Sequence, residues 1–272
     1  GDLPALPAEM EMLTVQIALE RLGFSPGVID GKNGESLEIA VRGFQAANDL
    51  AETGELDSET RAALDRSPPL PATRWVVIPA DFANQQFFAD LPKDAAEQSR
   101  FSALGYRNLM EALAERFHTT PETLIALNSP ETQIGAGKTI IVPNIADVMT
   151  PRTQDAERGW DRSLAMLGVA PEQPAINKIV VDKSSGWLRA YGADEKLIAQ
   201  FPVTTGSSRD PLPLGNWKVN GVARNPDFHY NPKLFWDVSD SEDKQLLKPG
   251  PNNPVGVVWI DLSKPHYGIH GT

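Results

Sequence analysis

Between residues 10 and 66 apolar positions recur at helical spacing. Leu13, Ile17, Leu19 and Leu22 make one stripe; Leu37, Ala40, Val41, Phe44 and Ala47 make a second. This predicts two helices, with Asp57 as N-cap of a short third ending near Leu64. The stretch Gly23 to Gly34, dense in turn formers, interrupts the first two. Ser67-Pro-Pro-Leu-Pro71 then reads as a stiff linker, because successive prolines favour extended geometry.

After the linker the pattern is mixed. Trp75 to Ile78 and Lys138 to Val142 read as strands, and Asn108 to Phe117 and Pro121 to Asn128 as helices. Thr120 before Pro121 is a helix start, since proline at the first helical position loses no bond that the helix needs. A long stretch, Pro79 to Arg107, carrying Phe82, Phe87 and Phe88, separates the first strand from its helix. Residues 146–175 form a connector with one amphipathic piece, Trp160 to Leu167. From Ile176 short strands alternate with turns: Lys178 to Val181, Trp187 to Tyr191, Leu197 to Thr204, Gly215 to Val219 and Val255 to Leu262. Trp259, inside a continuous apolar run, is expected in the core.

The fold class is therefore multidomain α+β. It comprises a small three-helix bundle (1–66), a βααβ module (72–145) with an insertion near 79–107, a connector (146–175) and a β-rich C-terminal domain (176–272).

Composition narrows the chemistry. The chain contains no cysteine, which excludes disulfides, thiolate metal sites and a cysteine nucleophile within these 272 residues. The net charge is -11, yet residues 176–272 are nearly balanced, with 11 basic against 10 acidic side chains. An acidic N-terminal part without a basic stripe argues against nucleic acid or an anionic membrane as partner. No apolar run is long enough to span a bilayer. No signal peptide is visible at the start, so one is expected to be absent or already removed. The four histidines do not fall at metal-ligand spacing, and no metal or cofactor is expected. Domains on stiff linkers point to a monomer.

Among the histidines, His270 stands out: flanked by Gly268 and Gly271, it is open to approach and suited to general-base work. The residues alone leave open a histidine that only hydrogen-bonds at a strand end. His118 is expected to be an exposed polar residue, and His229 belongs to the aromatic-rich stretch Val222 to Trp236. That stretch reads as a lid or cleft wall, in which Tyr230, Phe235 and Trp236 either pack a substrate or form a satellite hydrophobic cluster.

Three resemblances add to this. Leu22-Gly23-Phe24, Asp30-Gly31, Gly34, Phe44-Gln45 and Thr53-Gly54 resemble the peptidoglycan-binding domain 1 family, which implies Asp30, Gly31, Phe44 and Gln45 as candidates for peptidoglycan binding. Leu109 to Asn128, followed by Gly137 to Pro143, resembles a LysM module, a glycan-binding βααβ unit; here the insertion replaces its usual short connection. Val180-Val-Asp182, Phe201 to Gly206, Pro211 to Val219, Asn252-Asn-Pro-Val-Gly256 and Tyr267-Gly-Ile-His-Gly-Thr272 resemble the L,D-transpeptidase catalytic domain.

The last resemblance implies that His270 is catalytic and that Tyr267, Gly268, Gly271 and Thr272 join Tyr230, Phe235 and Trp236 around the substrate. It implies a cysteine acyl-enzyme that forms 3→3 cross-links between peptidoglycan stem peptides, or attaches a lipoprotein to them, without a cofactor. Its nucleophile belongs to a Ser/Thr-His-Gly-Cys motif following this histidine, so residues 1–272 by themselves are expected to be inactive. The setting implied is periplasmic or cell-wall associated. The alternative is a non-enzymatic peptidoglycan-binding or scaffold protein, which the lack of cysteine favours.

Overall fold

The structure, a computed structural model, describes residues 2–147, 157–170, 172–206, 211–234 and 243–271. It mixes helix and sheet. Among the described residues no helix is long and apolar enough to cross a membrane.

Helices α1 (Leu13–Arg21), α2 (Glu35–Ala47) and α3 (Ser58–Leu64) open the chain. The Asp57 carboxylate accepts the Thr60 N–H at 2.8 Å, which fixes the start of α3. Helix α1 is apolar on two sides. Leu19 joins Leu37, Val41 and Phe44 inside the helical segment, whereas Leu13 and Ile17 face residues 72–145 and enter one core with Val76, Leu113 and Phe117. The proline linker therefore joins two segments that share a core.

In the next segment β1 (Thr73–Val77) pairs antiparallel with β2 (Thr139–Pro143). Between them come short α4 (Ala80–Ala83) and α5 (Ala95–Gln98), then α6 (Leu109–Arg116) and α7 (Pro121–Leu127). Asn108 and Thr120 cap α6 and α7, accepting from Glu111 and Thr123 N–H groups. The connector helix α8 (Trp160–Leu167) is seized at its C-terminal end by Arg116, which donates to the Ala165 and Met166 carbonyls and to Asp147. Burial pulls the Arg116 guanidinium below its ordinary pKa, with Asp147 opposing that shift.

The C-terminal part contains two separate three-stranded antiparallel sheets. Strands β3 (Lys178–Asp182), β4 (Trp187–Tyr191) and β5 (Leu197–Pro202) form the first, with β4 central. It docks on α2: buried Gln200 donates to the Ile39 carbonyl at 2.6 Å and accepts from Arg189 at 2.8 Å, while Arg189 also holds Glu52. Strands β6 (Val219–Arg224), β9 (Val258–Leu262) and β10 (Gly268–His270) form the second, with β9 central. A small hairpin, β7 (Phe228–Tyr230) with β8 (Gln245–Leu247), stands beside them.

Three expectations change. Residues 215–218 are not strand; β6 begins at Val219, because the Trp217 ring folds back across Gly215 and turns the chain there. Residues 255–257 are turn, and β9 begins at Val258. Trp259 is half-buried in β9 and belongs to none of the buried clusters among the described residues, its ring stacked instead on the exposed His270.

Candidate active site

Strand β10 is the edge of its sheet and brings His270 directly opposite Trp259. Cross-strand partners on one face meet side by side, and the two rings stack with centroids 5.3 Å apart at an interplanar angle of 11°. Trp259 can lie there because Gly268, on the same face of β10, has no side chain. A Cβ at that position would overlap the Cζ2 and Cε2 atoms of the indole.

The His270 imidazole is exposed, and its Nδ1 meets the Gly271 carbonyl at 2.5 Å. A carbonyl only accepts, so Nδ1 donates and the neutral ring keeps its lone pair on Nε2. That nitrogen is the atom able to take up a proton. Tyr267 precedes the strand, half-buried, with the Lys264 ammonium 5.2 Å from its ring centroid. Gly271 runs close to the 254–257 turn, where a Cβ would sit 3.5 Å from the Gly256 Cα.

The other expected site residues scatter. Tyr230 leans against Leu91, Leu104 and Leu247, a cluster joining the 79–107 insertion to the β7/β8 hairpin. It serves the satellite cluster that the sequence left as an alternative. Phe235, Trp236 and Thr272 lie outside the described residues. His229 is exposed. His118 is exposed as expected, yet its Nδ1 pairs with Glu20 of α1 at 2.6 Å.

The four residues taken from the peptidoglycan-binding pattern build the helical segment. Phe44 is buried against Phe24 in an edge-to-face pair. Gln45 is wholly buried; its amide donates to Thr53, Thr60 and the Glu55 carbonyl and accepts the Gly54 N–H. Asp30 accepts hydrogen bonds from the Lys32 N–H and the Gln16 side-chain amide, closing its turn. Met10 is packed against Gly31. Phe44 and Gln45 thus offer no surface to a glycan. In residues 72–145 a cavity of about 110 Å³ opens among Met110, Leu113, Thr132, Ile134 and Ile140. It is well below the ~300 Å³ at which small-molecule sites begin.

Two segments of the chain match known families. Residues 176–272 match the family described as "L,D-transpeptidase catalytic domain", and residues 10–64 the family described as "Putative peptidoglycan binding domain". The chain thus holds two matched segments, one similar to L,D-transpeptidase catalytic domains and one similar to peptidoglycan-binding domains. Over 165 residues it is 26% identical to the Bacillus licheniformis protein named "Putative L,D-transpeptidase YkuD", covering 60% of this chain and 70% of that one. The two resemblances at the ends of the chain are matched in this way. These two family matches leave residues 72–145 uncovered.

Sequence reasoning missed Trp259 as a neighbour of His270. The signal was the spacing: with Gly268 and His270 on one face of a strand, a large ring on the partner strand has room only over the glycine.

Proposed function

We propose that the protein is a peptidoglycan L,D-transpeptidase working through a cysteine acyl-enzyme, with His270 as the proton carrier. The observation that carries this reading is the free Nε2 of an exposed His270, held in orientation by the Nδ1 contact and the Trp259 stack, within the segment that matches the catalytic family. The thiolate attacks the amide carbonyl joining the L-centre of a diaminopimelate residue to the terminal D-alanine of a tetrapeptide stem. The C–N bond breaks, D-alanine departs as an amine with the proton supplied by the imidazolium, and a thioester remains. The side-chain amine of a second stem then attacks the thioester; imidazole takes its proton, the thiolate is released and a 3→3 cross-link stands. A lipoprotein lysine or water is an alternative acceptor with the same balance.

No thiol occurs among the 272 residues, so this reading takes the nucleophile from a cysteine beyond them. On this reading residues 1–272 alone form no acyl-enzyme. A histidine beside that thiol is needed because free cysteine is mostly protonated at neutral pH, and imidazolium stabilises the thiolate. The match over residues 10–64 supports delivery to peptidoglycan, hence a periplasmic or wall-associated setting, and the module at 72–145 is read as LysM-like.

The test is covalent adduct formation between the intact protein and a tetrapeptide donor, followed by mass. Wild type should gain the acyl mass with loss of D-alanine, and H270A should be slower by about 10²- to 10⁴-fold. Adduct formation by H270A at the wild-type rate removes His270 from the mechanism; no adduct with wild type removes the reaction.

A further inference from the structure

Beside the apolar contact of Leu91 and Leu104 with Leu247, the C-terminal part meets residues 72–145 along a polar seam, most of whose side-chain bonds come from one residue. Asn252 accepts from the Arg107 guanidinium at 3.1 Å and donates to the Gly105 carbonyl at 2.9 Å and to Glu111 at 3.2 Å. Its own N–H donates to the Leu104 carbonyl at 2.9 Å, while the Leu104 N–H donates back to the Pro249 carbonyl at 2.9 Å. Glu111 is fixed in turn, since it accepts both the backbone N–H and the guanidinium of Arg107. Between these anchors Gly250, at φ +149, passes so close to Leu104 that any Cβ would overlap its carbonyl.

The segment held this way leads straight to His270. Next to Asn252, Asn253 is 2% exposed; its amide donates to the Lys248 carbonyl at 2.9 Å and accepts the Val255 N–H at 3.0 Å, closing the turn from within. Gly256 lies against Gly271, the residue whose carbonyl holds the imidazole. Val258 then opens β9, and Trp259 is the residue stacked on His270. The insertion also packs Leu91 and Leu104 on Leu247, at the end of β8 just before the same turn.

We infer that Asn252 is a positioning residue for acyl transfer. Gripped by Gly105, Arg107 and Glu111, it sets the 249–257 turn on which the His270 strand is seated, so residues 72–145 are a structural part of the catalytic unit and not only a wall-binding attachment. This rests on the transpeptidase reading above. The insertion at 79–107 then has a purpose, since it carries the contacts that reach the catalytic segment.

The test compares N252A and R107A with wild type in the intact protein. R107A leaves residues 176–272 unaltered, so its effect on His270 must travel through the seam. One readout needs no chemistry: the imidazole proton resonances of His270 and amide exchange at Val255–Val257 and Ile269–Gly271. Both variants should shift the resonances and speed that exchange while the thermal midpoint changes little. The second readout is adduct formation with the tetrapeptide donor, where kcat should fall about ten- to hundredfold with KM unchanged, as expected of a misplaced reacting group. Wild-type resonances and exchange in both variants overturn the proposal, as does a normal kcat in N252A despite a loosened turn. A wild-type protein that forms no adduct overturns the transfer reading instead, and the seam is then judged on the His270 resonances alone.

Discussion

The two antiparallel sheets that close the middle and the end of the chain are built on opposite principles. β2 is buried at four of its five positions, under α6 and α7 and in a core that also takes Met10, Leu13, Ile17 and Ile29 from the first segment. β6 is exposed at all six positions, and β10 ends on an exposed histidine. Apolar burial places the first sheet; register, close glycines and buried asparagines place the second. The lesson is that the candidate site depends on polar anchoring, and much of that anchoring comes from the first region.

The largest effect should follow from emptying the first region's core. Phe117 is 1% exposed and lies beside the Arg74 and Arg116 guanidinium groups, each 5.8 Å from its ring. F117A removes the ring and those contacts, and should cost about 3–5 kcal/mol by denaturant titration. Because the core is shared, amide exchange in α1 should rise together with that in β1 and β2. A loss confined to residues 72–145 would break the view that the linker joins one packed body.

A smaller effect is expected from G268A, which probes the second region. The new methyl collides with the Trp259 indole, and half-buried surroundings let the ring move at a cost of about 1–3 kcal/mol. The ring-current shift on the His270 imidazole should collapse even though the fold persists. An unchanged His270 resonance would mean that the stack does not depend on the glycine gap.

The helices and most strands were legible because their cause is local: Leu37, Val41 and Phe44 repeat at helical spacing, and Asp57, Asn108 and Thr120 are capping residues read one position at a time. His270 was singled out by its glycine neighbours and the family pattern. Asn252 and Gln45 were not legible in their roles. A polar residue in a pattern looks alike whether it touches a ligand or satisfies the backbone, and only the fold shows that Gln45 spends its whole amide inside. The same holds for Tyr230, whose partners Leu91 and Leu104 come from the insertion over a hundred residues earlier.

The smallest effect sharpens the contrast from the other side, by removing a polar anchor where burial dominates. The Thr60 backbone N–H, with help from its hydroxyl, holds the Asp57 carboxyl below the ordinary aspartate value of 3.8, outweighing a slight desolvation. Its stabilising contribution is therefore complete above 3.8 and is lost as the pH falls through the lower, folded-state value. The thermal midpoint of wild type should exceed that of D57A at neutral pH, and the gap should close on acidification, since every other carboxylate is common to both chains. D57N, whose side chain caps without titrating, should hold its gap over D57A throughout. The shift should be smaller than that of F117A or G268A, because this cap supports a helix already seated by Ala63 and the buried Thr60. A gap between wild type and D57A that stays constant as the pH falls would show that Asp57 acts through packing and not through its charge.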